Sequence, residues 1–275
     1  MGYKIKKGFL YFCVTFLAVI CLLPFWMMIV NSTRTANEIS TSFTLIPGTN
    51  LVENWKTVFG YFNPFKGMWN SLLVAVPATV LTSYFSALTA YALAIYKFKG
   101  RNFLFGVILV FMMIPGQLSL LGFYDLVAGL RLTNSYIPLI VPAIAAPGTV
   151  FFLRQYVLSI LPKSLLEAAR IDGAGEIHIF HRIVLPIMAP AIATMAIGAF
   201  IGNWNSYLVP LVLLNSPKKF TLPVMIASLS ASQDVSTNLG ATYLAVAISV
   251  VPILIVFAFC SKYIISSISA GSVKE

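Results

Sequence analysis

Charged side chains cut this chain into long uncharged runs at 8–33, 67–96, 102–124, 132–153, 183–217 and 235–261. Each exceeds the roughly 20 residues that an α-helix needs to cross the hydrocarbon core of a bilayer. Two shorter uncharged runs, 39–52 and 220–233, contain Pro47 and Pro223; they are too short to span and are expected outside the bilayer or at its surface. A transmembrane barrel would show segments of about 10 residues alternating in polarity. The first run, GFLYFCVTFLAVICLLPFW from Gly8 to Trp26, is instead continuously apolar. The pattern therefore predicts an all-α, polytopic membrane protein with six transmembrane helices, residues 1–275 forming a single transmembrane domain. The apolar run after MGYKIKKG is too long for the core of a secretory signal and lacks an obvious small-residue cleavage site, so it is read as a retained first helix.

Between the fourth and fifth runs lies a polar island. Residues 163–182 hold six charged side chains and both histidines, in a chain where only 9% of residues are charged. Pro162 closes the preceding span, and Ser164 followed by Glu167 has the spacing of a capping box. A short helix is expected from there, carrying Leu165, Leu166, Ala168 and Ala169. Asp172-Gly173 supplies turn chemistry that stops it, and a second helical stretch from about Ala174 to Arg182 leads to Pro186. The result is a helix-turn-helix too polar to enter the bilayer. Two roles are open for it: a capped, solvated loop, or a docking surface, because Ala168, Ala169, Gly173 and Ala174 leave room for another protein's backbone.

Composition supports the membrane assignment: 59% of residues are hydrophobic and mean hydropathy is +0.90, whereas soluble proteins are about a quarter charged. Six spans put both ends on one side, together with 12 of the 18 Lys and Arg residues. The positive-inside rule makes both termini, and the island, cytoplasmic. The net charge of +10 is thus a topology signal rather than a nucleic-acid footprint. Cys13, Cys21 and Cys260 fall in apolar runs and suggest packing. His178 and His181 lack an evident third ligand, so no metal site is expected.

The resemblance to a known family begins in the island. Glu167-Ala168-Ala169, then Asp172-Gly173-Ala174, then Ile183, Leu185 and Pro186 resemble the EAA loop of permease subunits in binding-protein-dependent ABC importers. TSFTLIP (41–47), AYALAIYKFKGR (90–101), MIPGQLSLLGFYDLV (113–127), NWNSYLVPLVL (203–213) and the tail KYIISSISAGSVKE are similar to the carbohydrate-uptake branch, closest to the six-span member of the maltose-type permease pair. The resemblance implies a type I ABC importer permease in a bacterial inner membrane. Its partners would be a second permease subunit, two cytosolic ATPase subunits that carry ATP and Mg, and an extracytoplasmic sugar-binding protein meeting segments 34–66 and 209–240. Residues 163–182 would couple ATPase closure to the spans through Glu167, Ala168, Ala169, Asp172, Gly173 and Ala174, and a methyl group at Gly173 is expected to misorient them.

The residues are consistent with a passive subunit. No GxxxxGK[ST] phosphate loop occurs, and no ionisable residue falls inside the charge-bounded runs, where ion-coupled carriers keep their relays. Neutral polar groups do occur there: Ser83, Ser86, Thr89, Gln117, Asn203, Asn205 and Ser206. Gln117, Asn203, Trp204, Asn205 and Tyr207 are the candidate substrate contacts, hydroxyl partners beside aromatic faces, although Asn and Ser also join helices to one another. Gly198 and Gly202 form GxxxG, which suits close packing within the chain or against a second subunit. A polyol or glycerol phosphate could replace the sugar. A membrane-embedded enzyme would have to use Glu167, Asp172, Glu176, His178 and His181, the lone acid–histidine cluster of the sequence.

Overall fold

The computed structural model describes residues 2–231 and 235–272. It is 81% helical, with no strand among the described residues. Helices α1 (Gly2–Ser32), α2 (Ala36–Thr41), α3 (Leu51–Tyr61) and α4 (Pro64–Ile95) are followed by α5 (Arg101–Met112), α6 (Leu120–Gly129), α7 (Ile137–Ile140) and α8 (Pro147–Ile160). Then come α9 (Lys163–Ile171), α10 (Glu176–Ile179), α11 (Leu185–Trp204), α12 (Leu208–Leu213), α13 (Leu222–Ser230) and α14 (Val235–Ser272).

Among the described residues, five stretches are long and apolar enough to cross a membrane: Lys6–Ser32, Pro64–Ile95, Ile137–Ile160, Glu176–Trp204 and Leu239–Phe259. The remaining expected span, 102–124, is not one rod. Its two parts, Arg101–Met112 and Gly116–Gly129, meet at 91°; counted together they make the sixth. Pro115 is the physical cause, because it has no N–H to donate and its ring would collide with the Phe111 carbonyl in a continuing helix. Charges also fail to delimit the helices. Asp125 lies in α6 and Arg154 in α8, so ionisable residues do enter these segments, contrary to expectation. The Arg154 guanidinium stacks 3.9 Å from the Phe105 ring centroid, and its Nε donates to the Leu93 carbonyl at 3.3 Å. An aromatic face and a carbonyl thereby replace water around the cation.

The helices form two compact units. One comprises the chain up to Met68 with Leu222–Pro252. Val58 of α3, Leu229 of α13, and Ala241, Leu244 and Ala245 of α14 make its core. Beside that core Arg34 is buried, held by oxygen acceptors rather than by a carboxylate. It donates to the carbonyls of Glu38 (2.6 Å) and Ser42 (3.0 Å) and to Asn31 Oδ1 (3.3 Å). Asn54 in turn donates from Nδ2 to the carbonyls of Ser32 and Arg34, at 2.8 and 3.0 Å. Cys13 and Cys21 are exposed on α1 rather than packed. The Cys260 side chain and residues 273–275, the end of the tail motif, lie outside the described residues.

The second unit comprises Trp69–Thr221 with the chain from Ile253 onward. Its main core joins α4 (Ala87, Ala90, Tyr91, Ala94) to α8 (Leu153, Val157) and to α9, α10 and α11. The polar island is therefore built onto the spans rather than hung from them.

Candidate functional site

Helix α9 begins at Lys163, one residue before the expected start, with Pro162 at the cap position and no side chain capping it. The Ser164–Glu167 capping box does not form. Pro162 already has the extended backbone that a cap requires (φ −68°, ψ 128°), which puts Ser164 inside the first turn, where its hydroxyl cannot serve as the cap.

The other end matches expectation and sharpens it. Gly173 has φ +80°, its N–H donates to the Arg170 carbonyl, and the Ala174 N–H donates to the Ala169 carbonyl, both at 3.0 Å. These paired bonds are a Schellman motif, which satisfies the last carbonyls of the helix. A Cβ built on Gly173 would meet nothing within 4 Å. The cost of a side chain there is therefore the left-handed backbone, about 1 kcal/mol, rather than a clash.

Two side-chain locks fix α10 against its neighbours. Arg170 pairs with Glu176 (Nε–Oε1 2.7 Å, Nη2–Oε2 3.3 Å), and the Tyr96 hydroxyl donates to the same carboxylate. Burial, and then the bond to Glu176, push the Tyr96 pKa up; the Glu176 bond raises that of Arg170. Neither group changes charge near neutral pH, so the lock holds across the physiological range. The second lock is at His181, whose Nδ1 donates to the Ile177 carbonyl at 2.8 Å. That leaves Nε2 of the neutral ring to accept from the Tyr84 hydroxyl at 3.1 Å. Phe180–Val184 form a π-helical turn that joins α10 to α11. Pro186 cannot supply the N–H that an α-helical turn would return to Arg182, and the wider turn accommodates the gap.

The candidate coupling residues separate by burial. Leu166 and Ala169 are buried in the core, with Ala174 packed against it. Glu167, Ala168, Asp172 and Gly173 are exposed. Ala169 is small because it packs inward, so it does not contribute to the bare outer surface that the sequence suggested. Sequence reasoning missed Ile171 and Ile177, which are 85% and 78% exposed. Branched apolar side chains in a polar island were the available signal, and they make the outer surface of this lever greasy as well as small.

The candidate substrate residues also divide. A cavity of about 470 Å³ is lined by Gly116, Gln117, Leu120, Asn205, Ser206 and Tyr207, among others. Two helix breaks meet there: the bend at Pro115, and the interruption at residues 205–207 between α11 and α12, where Pro210 has no N–H to return to the Ser206 carbonyl. Non-helical backbone at membrane depth is tolerated where it lines such a cavity. Asn203 lines a different cavity and donates to the Ala199 carbonyl at 2.8 Å. Trp204 is buried, 5.8 Å from Phe200 between ring centroids, which makes it a core residue rather than a sugar platform. Gly198 and Gly202 are exposed and added Cβ atoms would meet nothing within 4 Å. Their GxxxG face is therefore not a close contact inside the described residues.

A helical bundle with broken spans beside an uncharged cavity, and a polar helix-turn-helix packed onto the spans on either side of it, is a membrane permease rather than an enzyme. Residues 80–269 match the family described as binding-protein-dependent transport system inner membrane component. The chain belongs to that family. It is similar to the arabinooligosaccharides transport system permease protein AraQ of Halalkalibacterium halodurans, 40% identical over 265 residues, covering 94% of this chain and 93% of that one. The sn-glycerol-3-phosphate transport system permease protein UgpE of Salmonella typhi is 30% identical over 270 residues, with 94% and 96% covered. A solved bacterial ABC transporter involved in import of the acidic polysaccharide alginate superposes with a TM-score of 0.78 at 20% identity, over 95% of this chain and 97% of that one; at that identity the likeness concerns the fold.

Proposed function

We propose that this chain is one of two permease subunits of an ATP-driven, binding-protein-dependent importer of neutral di- or oligosaccharides. The observation that carries the reading is the cavity where both helix breaks meet, whose polar lining is Gln117, Asn205, Ser206 and Tyr207. None of its lining residues is cationic. A phosphomonoester would lie there without a charged partner, at a desolvation cost of several kcal/mol, whereas sugar hydroxyls match neutral donors and acceptors. The arabinooligosaccharide permeases, at 40% and 37% identity, favour the same class over glycerol phosphate.

Substrate arrives on an extracytoplasmic binding protein and passes between this chain and its sister subunit, toward which the exposed Gly198 and Gly202 of α11, and Asn205 just past its end, are turned. Both termini and the lever 163–182 lie in the cytosol, on the side with 12 of the 18 basic residues. The lever's exposed surface (Glu167, Ala168, Ile171, Asp172, Gly173, Ile177) docks on an ATPase subunit, and ATP with Mg binds there. The two locks and the shared core pass ATPase closure into α4 and α11.

The test is uptake by proteoliposomes holding the complete complex. Arabinotriose is expected to enter only with ATP inside and binding protein outside, and sn-glycerol 3-phosphate is expected not to enter. Uptake of glycerol phosphate with exclusion of the sugar, or uptake without ATP, overturns the reading.

A further inference from the structure

The connector between α4 and α5 gathers positive charge at the end of a span. Lys97, Lys99 and Arg101 alternate along residues 97–101, between Ile95, where one membrane-crossing helix ends, and Arg101, where the next apolar segment begins. A cavity of about 360 Å³ opens there, lined by Lys97, Phe98, Gly100, Arg101, Asn102 and Phe103. No carboxylate is in that lining, and none of the three cations forms an ion pair among the described residues. Positive charges on so short a segment repel one another, and an anion seated among them relieves the repulsion. Lys97 and Lys99 are exposed and Arg101 is half-buried. Arg101 spends one N–H on the Tyr96 carbonyl at 3.5 Å, which tethers the guanidinium and leaves its other donors. Gly100, at the cap position of α5 with φ 88°, brings no side chain to cap the first turn, so backbone N–H donors at the helix start add to those of the side chains.

The rest of the lining says which anion fits. Phe98 and Phe103 are 43% and 74% exposed. A free phosphate gives neither ring anything to cover, whereas a phospholipid brings its phosphate to the cations and its glycerol and acyl chains to the rings. The cavity also stands at headgroup depth, because apolar helices leave it in both chain directions. The Tyr96 hydroxyl, one residue before the cavity, bonds the Glu176 carboxylate of α10. The cavity therefore shares the lever's side of the membrane, the cytosolic one in the account above. The cytoplasmic leaflet is rich in anionic lipid, and basic pockets beside membrane helices take its headgroups.

We infer that this cavity is a binding site for the headgroup of an anionic phospholipid of the inner leaflet. Lys97 and Arg101 meet the phosphodiester oxygens, Lys99 adds attraction from the rim, and Phe98 and Phe103 lie against the glycerol and the upper acyl chains. The site is independent of the solute that the importer carries.

Native mass spectrometry of the complete complex, titrated with phosphatidylglycerol in detergent, counts the lipid molecules retained. Lys97→Gln with Lys99→Gln removes two exposed charges and leaves the bond of Arg101 to Tyr96 intact. The apparent affinity of this variant for phosphatidylglycerol is expected to fall about 30-fold, while phosphatidylcholine, which has no net charge, is expected to bind weakly and equally to both complexes. Lys6→Gln with Lys7→Gln removes the same charge from the same side of the membrane but outside the cavity, and is expected to leave the affinity unchanged. Equal losses in the two variants reduce the effect to general surface charge, and equal affinity in all three complexes means that these cations hold no lipid. Displacement of the lipid by millimolar inorganic phosphate means that the cavity takes the free anion. Loss of the ATPase subunits from Lys97→Gln with Lys99→Gln, with lipid binding intact, assigns the cations to the partner protein. Each of these four results overturns the inference, and because no transported solute enters the measurement, failure of the carbohydrate reading leaves it standing.

Discussion

Aspartate at both Ile171 and Ile177 is expected to abolish ATP-driven uptake, lowering it at least about 100-fold while leaving the chain folded and in the membrane. Both side chains are exposed in the isolated chain, so the substitutions break no internal packing. In the docked state each isoleucine would bury apolar surface worth about 1.5–3 kcal/mol. An aspartate in its place would also bring an unpaired carboxylate into a desolvated interface, at a further cost of several kcal/mol. Every 1.4 kcal/mol is tenfold in affinity, so the pair removes docking at ordinary protein concentrations. Co-purification of ATPase subunits with the variant, set beside uptake in proteoliposomes, measures both effects. A variant that retains its ATPase and full uptake means the greasy outer surface of the lever has no part in coupling.

Gly240→Ala is expected to be the most damaging single methyl group in the first unit. A Cβ at that position would lie 2.2 Å from the Arg34 carbonyl oxygen and 2.5 Å from Asn54 Nδ2. These are two ends of one hydrogen bond, the 3.0 Å contact by which Asn54 holds the buried arginine turn. The methyl group must displace backbone and break that bond. Overpacking alone costs about 1–3 kcal/mol, and the stranded polar groups add about as much again. The variant is expected to accumulate poorly in membranes and to melt well below the unmodified chain in detergent, by upwards of about 5 °C. Equal abundance with an unchanged melting temperature contradicts the tight approach of α14 to Asn54. By contrast, Gly60 and Gly106 have open space around them and tolerate the same change.

Much of this was legible before any coordinates. Uninterrupted apolar runs fix where helices lie, because the bilayer's thickness sets their length, and the charge-dense island between two runs marks the helix-turn-helix. Its stop at Gly173 was readable too, since a left-handed cap favours glycine. Errors arose where tertiary geometry chose between options that local sequence allows equally. Ser164–Glu167 has capping-box spacing, but Pro162 takes the cap. Asn203, Trp204 and Asn205 are consecutive, yet the end of α11 sends them to one cavity, the core and another cavity. Ala169 is small for the sake of its own core. Charges do not limit the spans: Arg154 sits in a helix because the Phe105 face and the Leu93 carbonyl receive it.

The central claim is that residues 163–182 form a cytosolic lever on which an ATPase subunit sits. The most direct measurement places a single cysteine at Ile177 in a chain whose Cys13, Cys21 and Cys260 are replaced by serine, and labels it in sealed vesicles of either orientation with a membrane-impermeant maleimide. The account predicts labelling from the cytosolic side alone, suppressed when the ATPase subunits are bound. Labelling from the outer side, or labelling that bound ATPase does not diminish, would contradict it.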